Sequence, residues 1–310
     1  MKKVLLSTLM VLLIAVATSP WWPTSVGHVL YEQSGMLEAR LAGLEEQQVD
    51  IGEMVMSVHV QRQSDKPALV LLHGFSADKN VFNRFARHLK DDFTIVIPDL
   101  AGHGKTGFNS AWDYSAAAQA ERVVKLMDKL DIAQAHIMGN SMGGFISAVF
   151  ALNYPERTLS ATLIDPAGVR SPQASDMEKM LAQGRNPFEI DNREQFDAFF
   201  AMTMARPPWF PDVALAAVAE QYQARKPELR AIFEGFHGKG MMDEQLHRIT
   251  APTLILWGAQ DRLIHVSSAQ VWAKGIANSE VHIWDDIGHM PMMEIPAESA
   301  SRIKTFINKI

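Results

Sequence analysis

The sequence contains no cysteine among its 310 residues. Disulfide bonds, thiolate catalysis, cysteine-ligated metal sites and a lipid-modified cysteine are therefore all excluded. The 11 histidines also lack the H-E-x-x-H spacing of a zinc protease, so we predict no metal site. Any chemistry must come from residues other than cysteine.

Positive charge is also in short supply. Lysine and arginine number 29 against 35 aspartates and glutamates, which gives a net charge of −6. No basic stripe is available to neutralise phosphates, so a nucleic-acid partner is excluded. The apolar fraction of 47% and the charged fraction of 21% are ordinary for a globular protein. A chain of this length can bury one large core or two modest ones.

One long apolar run is present, at the N-terminus. Lys2 and Lys3 precede a largely apolar stretch over residues 4–17. The small residues at 15–17 resemble a signal-peptidase site, whereas the two tryptophans that follow suit an uncleaved membrane anchor. We therefore predict that residues 1–28 are an anchor or a signal segment. An anchor would place the protein in the inner membrane with its catalytic domain on the periplasmic side, and a cleaved signal would make it secreted.

An amphipathic pattern follows over residues 29–48. Leu30, Leu37, Leu41 and Leu44 fall on one face of a predicted helix, and the charged residues lie largely elsewhere. Two interpretations remain open. The helix either packs on its own domain, or lies on the bilayer or on a second copy of the chain as a juxtamembrane helix. We favour the second, because no clear linker separates the helix from the apolar run. The predicted partners are then a membrane bilayer and a homodimer through this helix.

The rest of the chain alternates strand and helix patterns, which predicts an α/β fold with a mainly parallel sheet flanked by helices. The core is predicted over 49–166 and 251–310. Between them, residues 167–250 lose the strand pattern and are rich in methionine and phenylalanine, which predicts an inserted helical cap. Most of these side chains would form the cap's own core, but flexible apolar residues there also suit an acyl-chain pocket. Strands are predicted over 53–60, 68–72, 93–97, 135–138, 158–164, 253–257 and 280–284.

A G-x-S-x-G motif joins a predicted strand to a predicted helix. Gly139, Ser141 and Gly143 occupy its three fixed positions. In a nucleophile elbow, the serine lies on a strained turn that exposes its hydroxyl, and the glycines omit side chains that would collide. The motif therefore predicts Ser141 as a nucleophile.

A serine nucleophile needs a base and an acid. His289 follows the last predicted strand, and an imidazole can both take and return a proton in catalysis, so we predict it as the base. Asp261 follows the preceding strand and is predicted as the acid. The order Ser141, Asp261, His289 matches that of α/β-hydrolases. Asp165 also ends a strand and is the rival acid.

The oxyanion hole needs two backbone N–H groups. We predict that Met142, after the nucleophile, supplies one of them. Phe75, in the loop after the strand 68–72, is predicted to supply the other. Gly74 precedes it, and His73 is predicted to hold this loop rather than act as a second base.

These motifs together resemble the α/β-hydrolase superfamily. Within it, the apolar N-terminus and the cap segment R-P-P-W-F-P at 206–211 look most like bacterial family V lipases and membrane-anchored lipase or phospholipase A relatives. The resemblance implies hydrolysis of acyl esters through an acyl-enzyme, with no cofactor. Trp209 and Phe210 of that segment are predicted to line the substrate pocket.

The elbow G-N-S-M-G-G also resembles that of carbon–carbon bond hydrolases that cleave aromatic ring-fission products. The apolar N-terminus and the apolar cap favour the first family. The sequence thus predicts a serine carboxylic ester hydrolase, a lipase, phospholipase A or esterase, acting on lipid-like or medium-chain acyl esters at the membrane. The carbon–carbon hydrolase is the alternative.

Overall fold

A twisted eight-stranded sheet forms the centre of the computed structural model, which describes residues 24–310. The strand order is β1-β2-β4-β3-β5-β6-β7-β8. β2 is antiparallel to β1 and to β4, and the other neighbouring pairs are parallel. The strands are β1 Glu45–Asp50, β2 Val55–Gln61, β3 Ala68–Leu72, β4 Thr94–Pro98, β5 Ala135–Asn140, β6 Thr158–Ile164, β7 Thr253–Gly258 and β8 Ser279–Trp284. The predicted mainly parallel sheet is confirmed.

Helices cover both faces of this sheet. Adjacent residues of the central strand β3 belong to different apolar clusters: Val70 and Leu72 pack on one face, and Leu69 and Leu71 on the other. This alternation follows from the period of two of an extended chain. The helices are α1 Thr24–Leu41, α2 Asn83–Ala86, α3 Ala116–Lys129, α4 Met142–Asn153, α5 Asp176–Ala182, α6 Arg193–Thr203, α7 Asp212–Ala224, α8 Lys226–Phe236, α9 Ser268–Gly275, α10 Pro291–Glu294 and α11 Pro296–Ile307.

Four of these helices, α5 to α8, lie between β6 and β7. They fall within residues 167–250, the segment predicted as a cap, and we keep that name for it. The connection leaves the sheet after β6 and returns before β7, so the cap starts at the edge formed by the carboxyl ends of the parallel strands. Ligands of open α/β sheets bind at this edge.

The predicted helix over residues 29–48 is wrong at its C-terminal end. Helix α1 ends at Leu41, and Gly43 turns the chain with a φ of +71°, a left-handed conformation that glycine adopts without steric cost. The chain then forms β1, an edge strand whose Glu46 pairs with His59. Backbone pairing with β2 overrides the helical preference of a glutamate- and glutamine-rich sequence.

Helix α1 bridges the cap and the core. A Cβ on Gly27 would lie 2.1 Å from the carbonyl oxygen of Val213, so the helix crosses α7 in close backbone contact. At its other half, the Asn83 side chain donates a hydrogen bond to the Gly35 carbonyl at 3.1 Å. Within residues 24–310, no helix is both long enough and apolar enough to cross a bilayer. The predicted apolar helix at 4–17 lies outside the described residues.

Candidate active site

Ser141 lies on the sharp turn between β5 and α4. Its backbone has φ +57° and ψ −117°, a conformation in which a side chain is strained. A Cβ on Gly143 would lie 2.0 Å from the carbonyl oxygen of Leu72, and one on Gly139 would lie 2.1 Å from the carbonyl oxygen of Gly143. Only glycine fits at these two positions, so β5 and α4 approach one another closely and fix the serine at the turn.

His289 and Asp261 are buried against one another. The Nδ1 atom of His289 lies 2.7 Å from Oδ2 of Asp261. The other carboxylate oxygen, Oδ1, accepts hydrogen bonds from the backbone N–H groups of Leu263 at 2.8 Å and Ile264 at 3.0 Å. These bonds orient the carboxylate toward the imidazole. With Nδ1–H donating to Asp261, Nε2 of His289 is the nitrogen that can accept a proton.

Asp165, the rival acid, lies beside this pair but makes a different hydrogen bond. Its Oδ1 accepts from the backbone N–H of Gly258 at 2.9 Å. One donor atom from each of Asp165, Asp261 and His289 fits within 4.8 Å of the others, a set that could hold a metal ion. A cation there would compete with the amide and imidazole hydrogen bonds of Asp261.

The two predicted oxyanion donors lie on adjoining segments. Met142 is the first residue of α4, so its N–H has no acceptor within the helix. The loop after β3 approaches Ser141 through Gly74, where a Cβ would lie 3.3 Å from the Cβ of Ser141. The ring of the next residue, Phe75, packs on Phe188 of the cap with 4.8 Å between centroids. The loop is therefore held between Ser141 and the cap.

Both ring nitrogens of His73 form hydrogen bonds with backbone groups. Nδ1 lies 2.8 Å from the Gly74 carbonyl oxygen, and Nε2 accepts a hydrogen bond from the Leu100 N–H at 3.0 Å. Accepting at Nε2 requires a neutral ring. Complete burial also lowers the pKa of His73 below its ordinary value. The geometry matches a residue that holds the loop.

A cavity of about 700 Å³ opens over Ser141 and His289, and both side chains line it. Its apolar wall comes from the cap. Trp209 lines the cavity mouth with 66% of its surface exposed, and Phe210 packs edge-on against Phe200 at 5.8 Å. Further apolar cap residues that line the cavity are Phe188, Phe196, Phe199, Leu215 and Val218. Of the cap methionines, only Met204 lines the cavity.

Another part of the cavity lining is polar. It includes Tyr31 of α1, and Ser76, whose hydroxyl lies 2.7 Å from that of Tyr222. Burial raises the pKa of Tyr222 to about 12. Burial, and then the neighbouring Asp99 carboxylate, raise the pKa of Asp78 to about 6. The cavity lining thus combines apolar residues, mainly from the cap, with polar residues that include several from α1 and from the loop after β3.

Comparison with known proteins assigns the family. A family model described as the alpha/beta hydrolase fold matches residues 67–296. The chain belongs to the alpha/beta hydrolase family.

Individual relatives include lipases. The chain is similar to Lipase 1 of Psychrobacter immobilis, with 34% identity over 244 residues, covering 77% of this chain and 76% of the lipase. Among solved structures, it resembles a membrane phospholipase A described as a bacterial virulence factor. That match has a TM-score of 0.88 and 32% identity and covers 100% of this chain and 99% of the other. A 2-hydroxy-6-oxo-6-phenylhexa-2,4-dienoate hydrolase from Rhodococcus sp. strain RHA1 matches with a TM-score of 0.75 and 21% identity, over 86% of this chain and 99% of that one. This last likeness shows the fold alone.

Two residues that were not predicted from the sequence also form hydrogen bonds at this site. Asn140 precedes Ser141, and its side-chain N–H donates to the carbonyl oxygen of His289 at 2.9 Å. Glu294 in α10 accepts backbone hydrogen bonds from Gly288 at 3.0 Å and from Arg206 of the cap at 2.7 Å. Asn140 lies inside the G-x-S-x-G motif, so the sequence pattern could have indicated that it belongs to the site. Nothing in the local sequence pattern distinguishes Glu294.

Proposed function

We propose that the protein is a serine carboxylic ester hydrolase with Ser141 as nucleophile, His289 as base and Asp261 as the acid that orients it. The observation that carries the proposal is the buried 2.7 Å contact between His289 Nδ1 and Asp261, in a cavity that Ser141 also lines. A base held by a carboxylate, opposite a serine on a strained turn, is the arrangement that nucleophilic acyl transfer requires.

The reaction proceeds through an acyl-enzyme. The hydroxyl proton of Ser141 passes to Nε2 of His289 as Oγ bonds to the ester carbonyl carbon. The N–H groups of Phe75 and Met142 hold the resulting oxyanion. Collapse breaks the bond to the alcohol oxygen, which takes the proton from His289 and leaves. Water then attacks the acyl carbon and gives its proton to His289. The second collapse releases the carboxylic acid and returns the proton to Ser141.

The cavity supports an acyl ester with a long apolar chain as substrate. Phenylalanines of the cap form one wall, and burying hydrocarbon against them is favourable at roughly 25 cal/mol per Å². The polar part of the lining suits the alcohol part of the ester. The lipase and phospholipase names of the relatives point the same way. Lipids and medium-chain esters are therefore the proposed substrates, with no cofactor.

The first test is hydrolysis across p-nitrophenyl esters of increasing chain length, a triglyceride and a phospholipid. Ser141→Ala should lose about 10⁴-fold or more in kcat. The matched control is Ser147→Ala, a buried serine of the helix α4 that follows Ser141. Unchanged ester hydrolysis in Ser141→Ala would refute the mechanism. If the native protein shows no serine-dependent ester hydrolysis, the carbon–carbon hydrolase alternative comes first.

A second test separates the two candidate acids. Asp261→Asn should lower kcat about 10³–10⁴-fold, because an amide cannot stabilise the imidazolium. Asp165→Asn should cost far less, because Asp165 bonds Gly258 and not the imidazole. The reverse ranking would reassign the acid to Asp165.

We propose that the hydrolase works at a membrane. Two leucines of the apolar stripe of α1 face solvent: Leu37 and Leu41 are 57% and 48% exposed, whereas Leu30 lines the cavity. A helix buries such a stripe against a partner surface, and six residues separate α1 from the apolar segment at 4–17. The proposed location is the inner membrane, with the catalytic domain on the periplasmic side. Fractionation followed by N-terminal sequencing tests it: Met1 in the membrane fraction supports an anchor, and Thr18 a cleaved signal.

A further inference from the structure

Asp165 presents an unusual buried carboxyl group. The residue is fully buried at the carboxyl end of β6, and its backbone has a φ of +44°. One oxygen accepts from the Gly258 N–H. The other, Oδ2, has no hydrogen-bond partner among residues 24–310. An ionised carboxylate oxygen left in this state would be costly.

The neighbouring carboxyl group, that of Asp261, accepts more hydrogen bonds than that of Asp165. Asp261 accepts hydrogen bonds from the backbone of Leu263 and Ile264 and from the imidazole of His289. Two carboxyl groups this close do not both ionise readily, and the negative charge belongs on the one with more donors. Glu294 adds a third acid nearby, and burial with these carboxylates raises the pKa of Asp165 well above its ordinary value.

We infer that Asp165 is a neutral positioning residue whose carboxylic O–H donates a hydrogen bond to Asp261 and so holds that carboxylate against His289. This role rests on the proposed function of Asp261. It gives the Oδ2 atom of Asp165 a hydrogen-bond partner in the adjacent Asp261 carboxylate. It also leaves a single negative charge for the imidazolium that forms during catalysis.

Two substitutions of Asp165 separate the effect of its hydrogen-bond donor from the effect of a negative charge on its carboxyl group. Asp165→Asn keeps an oxygen for the Gly258 N–H and an N–H for Asp261, and asparagine tolerates a positive φ. Asp165→Gly adopts the same backbone without strain but removes the donor. Asp243→Asn is the control, because Oδ2 of Asp243 is also buried without a partner but lies beside Arg170, among residues that do not line the cavity over Ser141.

The experiment follows the His289 ring by NMR across a pH titration, together with the rate at which a fluorophosphonate labels Ser141. Asp165→Asn should leave the titration midpoint and the labelling rate close to native, as should the control. Asp165→Gly should raise the midpoint, because Asp261 loses a donor and attracts the imidazolium more strongly, and should slow labelling about tenfold. Thermal unfolding of each variant checks that the fold is retained.

Three results would overturn the inference. An ionised Asp165 would make Asp165→Asn lower the midpoint by about 1–3 pH units, because a negative charge has been removed. An unchanged midpoint in Asp165→Gly would mean that the residue positions nothing. Equal loss of labelling in both variants would mean that an amide donor does not replace the carboxyl group. If even the native protein is not labelled, the proposed nucleophile fails, while the NMR midpoints still decide the role of Asp165.

Discussion

The strain at Ser141 predicts an unusual ranking of two inactive variants. A side chain at φ +57° and ψ −117° costs about 1–3 kcal/mol, because only glycine populates this region freely. Ser141→Ala keeps the Cβ and therefore the strain. Ser141→Gly removes it, but loses about 0.5–1 kcal/mol through the greater entropy of glycine in the unfolded chain. We expect Ser141→Gly to be about 1 kcal/mol more stable than Ser141→Ala.

Equilibrium unfolding in urea measures this difference directly. The matched pair is Ser147→Ala and Ser147→Gly, further along within α4, where the backbone is helical. Glycine in a helix interior is about 1 kcal/mol less stable than alanine. The alanine-to-glycine change should therefore have opposite signs at the two positions. If glycine is less stable than alanine at 141 by as much as it is at 147, the backbone of Ser141 is not strained.

Three further predictions concern a glycine and a glutamate at the site and a buried histidine of β5. Gly143→Ala should lower the free energy of unfolding by about 3 kcal/mol, because its Cβ would lie 2.0 Å from the Leu72 carbonyl oxygen. Thermal denaturation measures this loss. A loss below about 1 kcal/mol would contradict so close an approach of the two backbones at this turn. Glu294→Ala should lower ester turnover more than Glu294→Gln does. Glutamine keeps one acceptor oxygen for the backbone N–H groups of Gly288, next to His289, and of Arg206 in the cap. Equal turnover in the two variants would mean that these hydrogen bonds do not position His289. Burial lowers the pKa of His136 to about 4. Between about pH 6.5 and pH 4, the unfolded chain therefore binds a proton at this residue that the folded protein does not. The contribution of His136 to the free energy of unfolding falls by about 3 kcal/mol as the pH drops across this range. His136→Asn should flatten that part of the curve in urea unfolding, and an unchanged slope would assign it to other groups.

The central strands could be predicted because they are buried on both faces. The strands Ala68–Leu72 and Thr158–Ile164 have the predicted bounds, since the ends of a continuous apolar run are well marked in the sequence. Strand β1 could not be predicted. Its sequence E-E-Q-Q-V-D lies at the edge of the sheet with most side chains in solvent, so no apolar alternation marks it. Only the pairing with β2 makes it a strand.

The predicted site residues carry local signals, and the residues that join them do not. Ser141 lies in a motif, and Asp261 and His289 each follow a strand. The hydrogen bond from Asn140 to His289 spans 149 residues of sequence, and no local pattern records a contact of that kind. The same holds for the cavity. Composition predicted an apolar cap, but which phenylalanines face the nucleophile depends on how α6 and α7 pack.

The chain order of these parts has a consequence for biosynthesis. The nucleophile turn is complete once β6 is in place, because the N–H of Ser141 bonds the carbonyl oxygen of Ile164. The proposed acid and base arrive only with β7 and β8, after the whole cap has been made. On the proposed mechanism, a nascent chain therefore carries a serine that cannot be activated until the last strands join the sheet. Reactivity toward esters would then begin only at the end of folding.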